Sequence, residues 1–130
     1  MLVLDTHAAV WILVDPDRVS KRATQAIDDA REQAGGVFVS DVTLFEIASL
    51  IARKRLGLHV SLESFMQEVE SHISVLPITR QIAARSVQLP STYPKDLMDR
   101  IIGATALVEG LPLITADENI QRSKAVKTIW

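Results

Sequence analysis

KDLMDRIIGATALVEGLPLITAD, residues 95–117, is the stretch whose reading decides the fold. A helical pattern opens on two carboxylates, Asp96 and Asp99, and stops at Gly110. Pro112 then leads into a short apolar strand that closes at Thr115-Ala116-Asp117. Residues three apart on a helix return to one face, so Asp96 and Asp99 can point the same way. Asp117 leaves the end of the following strand. Where strands and helices alternate, strand C-terminal ends and helix N-terminal ends gather in one crevice. More acids at equivalent corners are therefore expected elsewhere in the chain.

Upstream, the same alternation repeats. Met1–Leu4 is an apolar run suited to a strand buried on both faces, closed by Asp5 and Thr6. A short helix over Ala8–Val14 halts at Asp15-Pro16-Asp17. Ser20 caps a helix over Lys21–Ala34, ended by Gly35-Gly36. Val37–Val39 is the next strand, and Val42–Leu56 a helix that Gly57 stops, with Leu44, Ile47, Ala48 and Ile51 facing the core. Ser61 caps another helix, Ile73–Ile78 is a third strand, and Thr79 caps a helix that runs to Leu89. Beyond the opening stretch, Val126–Trp130 forms a last short strand at a sheet edge. The reading is α/β: one domain over residues 1–130, a three-layer α/β/α sandwich on a mainly parallel sheet of about five strands.

Composition narrows the function classes. Of the 130 residues, 48% are hydrophobic and 23% charged, enough apolar material for a core and little scope for disorder. A net charge of −2 argues against a broadly basic nucleic-acid coat, but not against an acidic site that handles phosphate through a metal. With no cysteine, disulfides and zinc–thiolate sites are ruled out. No apolar run approaches the ~18 residues of a membrane span. No basic region precedes the first apolar residues, so the expected location is cytoplasmic.

Each acid has an ordinary explanation. Asp5 and Asp96 read as helix caps and Asp117 as the close of a turn, while Thr43-x-x-Glu46 and Thr115-x-x-Glu118 match capping boxes. Jointly they read differently. Asp5, Glu46, Asp99 and Asp117 come from separate corners on the C-terminal side of the sheet, where carboxylates in one crevice repel and raise one another's pKa. A divalent cation removes that penalty. Hard oxygen donors without a His or Cys cluster favour Mg²⁺ or Mn²⁺, whose natural chemistry is phosphoryl transfer.

Four segments in order, LVLDTHAAVW (2–11), VSDVTLFEIA (39–48), LPSTYPKDLMDRIIGATALVEG (89–110) and LPLITAD (111–117), resemble a PIN-domain ribonuclease of the VapC toxin type. The resemblance implies metal-dependent endonucleolytic cleavage of RNA by the toxin of a toxin–antitoxin pair. It also implies inhibition by a small cognate VapB-like antitoxin in the active-site groove, and a homodimer. Asp5, Glu46, Asp99 and Asp117 match the family's four acids, as catalytic residues and metal ligands. Asp96 matches a further acid of the subgroup that begins Leu-Asp-Thr-His, and Thr6 and Thr115 match polar positions beside the metal. That subgroup often reads His-x-Asp-Pro-Phe-Asp-Arg where this chain has Pro94-Lys95-Asp96-Leu97-Met98-Asp99-Arg100, so the acids are kept and the loop histidine is missing.

Lys95 and Arg100 flank the acids and are the expected phosphate contacts. His7 reads as a first-turn residue packing or facing solvent, and His59 and His72 as surface. Arg53-Lys54-Arg55 complements a helix dipole, and Trp11 and Trp130 read as packing or interface residues. Two other classes compete. A Mg²⁺-binding receiver-like domain needs an Asp at the end of strand three, where the sequence has Leu76-Pro77-Ile78. A non-catalytic interaction module would use the acids as caps alone.

Overall fold

The computed structural model describes residues 1–33, 35–53 and 59–130. Five short strands, β1 (Leu2–Leu4), β2 (Val37–Ser40), β3 (Ser74–Leu76), β4 (Leu113–Ile114) and β5 (Thr128–Ile129), form one sheet in the order β3-β2-β1-β4-β5. All four pairings are parallel, so the sheet expected to be mainly parallel is wholly so. Leu4 stands opposite Val39 on one side and Ile114 on the other.

The apolar run of β1 is buried throughout because helices cover both faces. Leu2 and Leu4 join a core built with α1 (Thr6–Val14), α2 (Lys21–Glu32), α3 (Asp41–Ala52) and α4 (Leu62–His72), through Ala9, Ile27, Ile47 and Val69. Val3 points the other way, into a core with Ile102 and Ala106 of α6 (Leu97–Glu109) and Ile120 of α7 (Glu118–Ser123). α5 (Arg80–Gln88) packs against α6. These are the three layers the alternation implies.

The sequence reading ran the last two strands together; the structure inserts α7 between them. Parallel neighbours cannot be joined by a tight turn, because the chain must return to the starting edge of the sheet. α7 is that return. With six residues and Ile120 as its one buried side chain, it is too short to show helical periodicity. The third strand is also shorter than expected, Ser74–Leu76, leaving Pro77 outside the ladder. Before α2, residues Pro16–Arg18 form a single 3₁₀ turn. The predicted helix ends at Ala34 and at Leu56-Gly57, and Lys54-Arg55 of the basic run, lie outside the described residues.

From β1 the chain moves outward through β2 to β3, then crosses to the other side of β1 for β4. The C-terminal ends of β1 and β4 are therefore the switch point, where neighbouring connections diverge and leave a crevice. Asp5 and Asp117 stand there.

Candidate active site

Asp5 follows β1 and caps α1, its Oδ1 accepting the Ala8 amide at 2.8 Å. Asp117 caps α7, with Oδ1 accepting the Asn119 and Ile120 amides at 2.8 and 3.1 Å. Asp96 caps α6 by accepting the Asp99 amide on Oδ1 at 3.1 Å. The capping explanation of Asp5 and Asp96 is thus correct as far as it goes, and Asp117, expected to close a turn, caps a helix as well. Every one of those bonds uses a single carboxylate oxygen.

Glu46 and Asp99 have different surroundings. The capping box expected for Thr43 and Glu46 does not form, since Ser40 caps α3 and Thr43 is buried inside the helix. Glu46 is instead held from the neighbouring helix α1: the Thr6 hydroxyl donates to its Oε1 at 2.6 Å and lies 3.1 Å from the Thr43 hydroxyl. Thr115 likewise caps nothing. Its buried hydroxyl accepts the Asp117 amide at 3.1 Å, and its side chain hydrogen-bonds Asp5. Both threonines therefore orient acids.

Asp99 lies in the first turn of α6. Burial pushes its carboxyl up to about 6, and Asp96, Glu46, Asp117 and Asp5 push in the same direction. Burial also raises the pKa of Asp5, with Asp117 adding to it, while hydrogen bonds from Thr115 and Ala8 and the nearby His7 act oppositely. Asp99 is thus within electrostatic reach of the four other acids singled out in the sequence.

Asp5, Asp99 and Asp117 line a crevice of about 380 Å³ together with His7, Trp11 and Arg18. Glu46 lines an adjoining depression with Thr6, His7, Met98 and Arg53, so His7 borders both. His7 is exposed, with its ring 5.9 Å from that of Trp11. Among the described residues no three of the acids form a closed metal cage. The donor set still fits a hard divalent ion: it is all oxygen, partly desolvated and self-repelling. Mg²⁺ characteristically keeps several waters and takes only one or two carboxylates directly. Asp5, Asp99, Asp117 and Glu46 would hold such an ion.

The two flanking cations have other surroundings. The Arg100 guanidinium donates to the carbonyls of Ser86, Leu89 and Pro90 at 3.2, 3.4 and 3.5 Å, bracing the loop between α5 and α6. Lys95 lines a different cleft, beside Tyr93, Asn119 and Arg122.

Sequence reading passed over Tyr93 and Gly103, which seat α6. Tyr93 is buried, and its hydroxyl donates to the Asp99 carbonyl at 3.0 Å. Burial, then the charges of Asp99, Asp5 and Asp117, raise its pKa well above the usual phenol range, so it remains a donor. A Cβ at Gly103 would overlap the Tyr93 hydroxyl and ring. Gly→Ala inside a helix normally gains up to about 1 kcal/mol; here overpacking should reverse the sign, for a net loss of roughly 2 kcal/mol. Thermal unfolding of Gly103→Ala is the check, and an unchanged or higher Tm would show that Tyr93 yields freely. The one signal available in the sequence was a glycine inside an otherwise strong helix.

The family model described as PIN domain matches residues 2–126. The chain is 36% identical over 131 aligned residues to Ribonuclease VapC22 of Mycobacterium tuberculosis (strain ATCC 25618 / H37Rv), covering 99% of this chain and 98% of that protein. Among solved structures it is similar to VapBC2 from Rickettsia felis bound to a DNA fragment from their promoter, with a TM-score of 0.75, 12% identity, and 98% and 96% of the two chains covered. It is also similar to a toxin–antitoxin complex from Klebsiella pneumoniae, with a TM-score of 0.61, 28% identity, and 90% and 87% covered. Among the described residues no helix is long and apolar enough to cross a membrane.

Proposed function

Since the chain belongs to the PIN-domain family, we propose that it is a Mg²⁺- or Mn²⁺-dependent endoribonuclease. In this reading it is the toxin of a toxin–antitoxin pair, cytoplasmic and homodimeric, and is inhibited by a cognate VapB-like antitoxin. The carrying observation is that acids following β1 and β4 and acids on α3 and α6, far apart in the chain, come within electrostatic reach of one another beside the switch point of the sheet. The likeness to a ribonuclease along nearly the whole chain supports the same chemistry.

A bound divalent ion supplies positive charge that polarises a phosphate and makes a coordinated water acidic. The protein's part is to hold that charge and orient the scissile phosphate. Asp5 and Asp117 are fixed by the amides they cap, so their second oxygens are presented without loss of side-chain freedom on binding. Thr6 steers Glu46, and Thr115 steers Asp5. Asp96 fixes the start of α6, and Tyr93 holds its first turn. Lys95 stays within this reading as a phosphate contact in the neighbouring cleft, whereas Arg100 is assigned to loop bracing.

Calorimetric titration of Mn²⁺ into the purified, partner-free protein, followed by cleavage of single-stranded RNA with and without chelator, tests the proposal. Saturable binding and chelator-sensitive cleavage are expected. A folded protein that binds no ion and leaves RNA intact would leave Asp5, Asp96 and Asp117 as helix caps alone.

A further inference from the structure

An acid crevice repels a polyanion, so cations at its rim must offset the carboxylates before a nucleic-acid strand can enter. Of the described residues, Arg18 is the one Lys or Arg that lines the crevice holding Asp5, Asp99 and Asp117. It is held there by more than chance exposure. Its guanidinium carbon sits over the Trp11 ring, 4.6 Å from the centroid. Trp11 is itself partly buried against the core and packs on Trp130, with ring centroids 5.7 Å apart. The backbone beneath is also fixed. The Arg18 amide donates to the Asp15 carbonyl at 3.1 Å and the Val19 amide to the Pro16 carbonyl at 3.0 Å, while Val19 is buried.

A cation–π contact fixes where the guanidinium sits without consuming its N–H donors. No hydrogen bond or ion pair among the described residues uses those donors; the two ion pairs are His72–Glu68 and Arg122–Glu118. A planar fork of unused donors at the edge of an acid site suits two oxygens of a phosphodiester. We propose that Arg18, held over the ring of Trp11, seats a backbone phosphate of the RNA beside the acid crevice. This rests on the ribonuclease reading above and adds a residue to it. Trp11 and the 3₁₀ turn at Pro16–Arg18 then act as positioning elements.

The test is binding of a short single-stranded RNA, read by fluorescence anisotropy across a salt series, in the Asp5→Asn background so that the RNA stays intact. Arg18→Ala should weaken binding roughly tenfold and reduce the slope of log K against log salt by about 0.7, the contribution of one phosphate contact on a single strand. Arg18→Lys should restore the slope while recovering only part of the affinity, because an ammonium lacks the fork. A purely structural role for Arg18 would lower the Tm and leave the slope alone. RNA bound with unchanged slope and affinity by Arg18→Ala overturns this inference and leaves the ribonuclease reading standing; the guanidinium would then be open to a carboxylate of a protein partner. If the unsubstituted chain neither binds nor cleaves RNA, the ribonuclease reading fails and the inference falls with it.

Discussion

Asp5→Asn protein should fold normally and cleave RNA about a thousandfold more slowly than the unsubstituted chain. The two halves of this expectation have separate physical grounds. Asparagine caps a helix about as well as aspartate, and its side-chain oxygen can still accept the Ala8 amide, so α1 keeps its start. Replacing a carboxylate that is 7% exposed also removes the cost of burying its charge. What disappears is the negative donor at the end of β1, which no neighbouring group replaces. Circular dichroism and a thermal melt check the first half, and a chelator-controlled RNA cleavage assay the second. A folded Asp5→Asn protein with undiminished cleavage would remove Asp5 from the proposed metal site. Loss of both fold and activity would mean that its weight is structural.

Asp99 should make the metal-free protein less stable as pH rises. Its folded pKa, about 6, lies above the 3.8 of a free aspartate, so the folded chain holds this proton more tightly than the unfolded one. The resulting stabilisation is complete below pH 3.8 and is lost as pH rises through about 6. Asp5, also shifted upward by burial, adds to the same trend. At neutral pH the ionised Asp99 should cost on the order of 1–2 kcal/mol, allowing for its partial solvent exposure. Metal-free Asp99→Asn is thus expected to melt several degrees higher at pH 7 than the unsubstituted protein, with a flatter Tm profile between pH 4 and 7. Adding Mn²⁺ should raise the Tm of the unsubstituted chain, because an ion that binds only the folded state stabilises it by mass action, and should do little for Asp99→Asn. Equal Tm profiles for the two metal-free proteins would show that the carboxylates do not repel one another as their placement implies.

These two substitutions separate stability from function in opposite directions. Acids that weaken the empty fold are the ones expected to bind the ion. Such an arrangement is costly unless a ligand uses it, a common property of functional sites.

Much of this was legible in the residues alone. Binary pattern and punctuation are local, so Ser20, Ser61 and Thr79 announced their helices and Gly110 the end of α6, where φ is +67°. The doubly apolar β1 implied a parallel sheet with helices on both faces, and the alternation of elements implied where the acids would gather. α7 was not legible, since six residues are too few to carry a period; β4 and β5 were expected, though at two residues each they are shorter than the apolar runs that announced them.

Side-chain partners at long range were decided only by tertiary structure. The sequence assigned Glu46 an ordinary capping partner three residues away; the fold gave it Thr6, forty residues away, because α1 and α3 emerge from neighbouring strands. It offered Arg100 to a phosphate, whereas the packing of α5 on α6 placed loop carbonyls within its reach. Arg18 carried no signal at all, since a single basic residue after a proline turn means nothing until Trp11 lies beneath it. Hydrophobic period and capping chemistry act over a few residues and can be read along a line. The direction of a guanidinium or carboxylate depends on which surfaces the core brings together, and that exists only once the chain has folded.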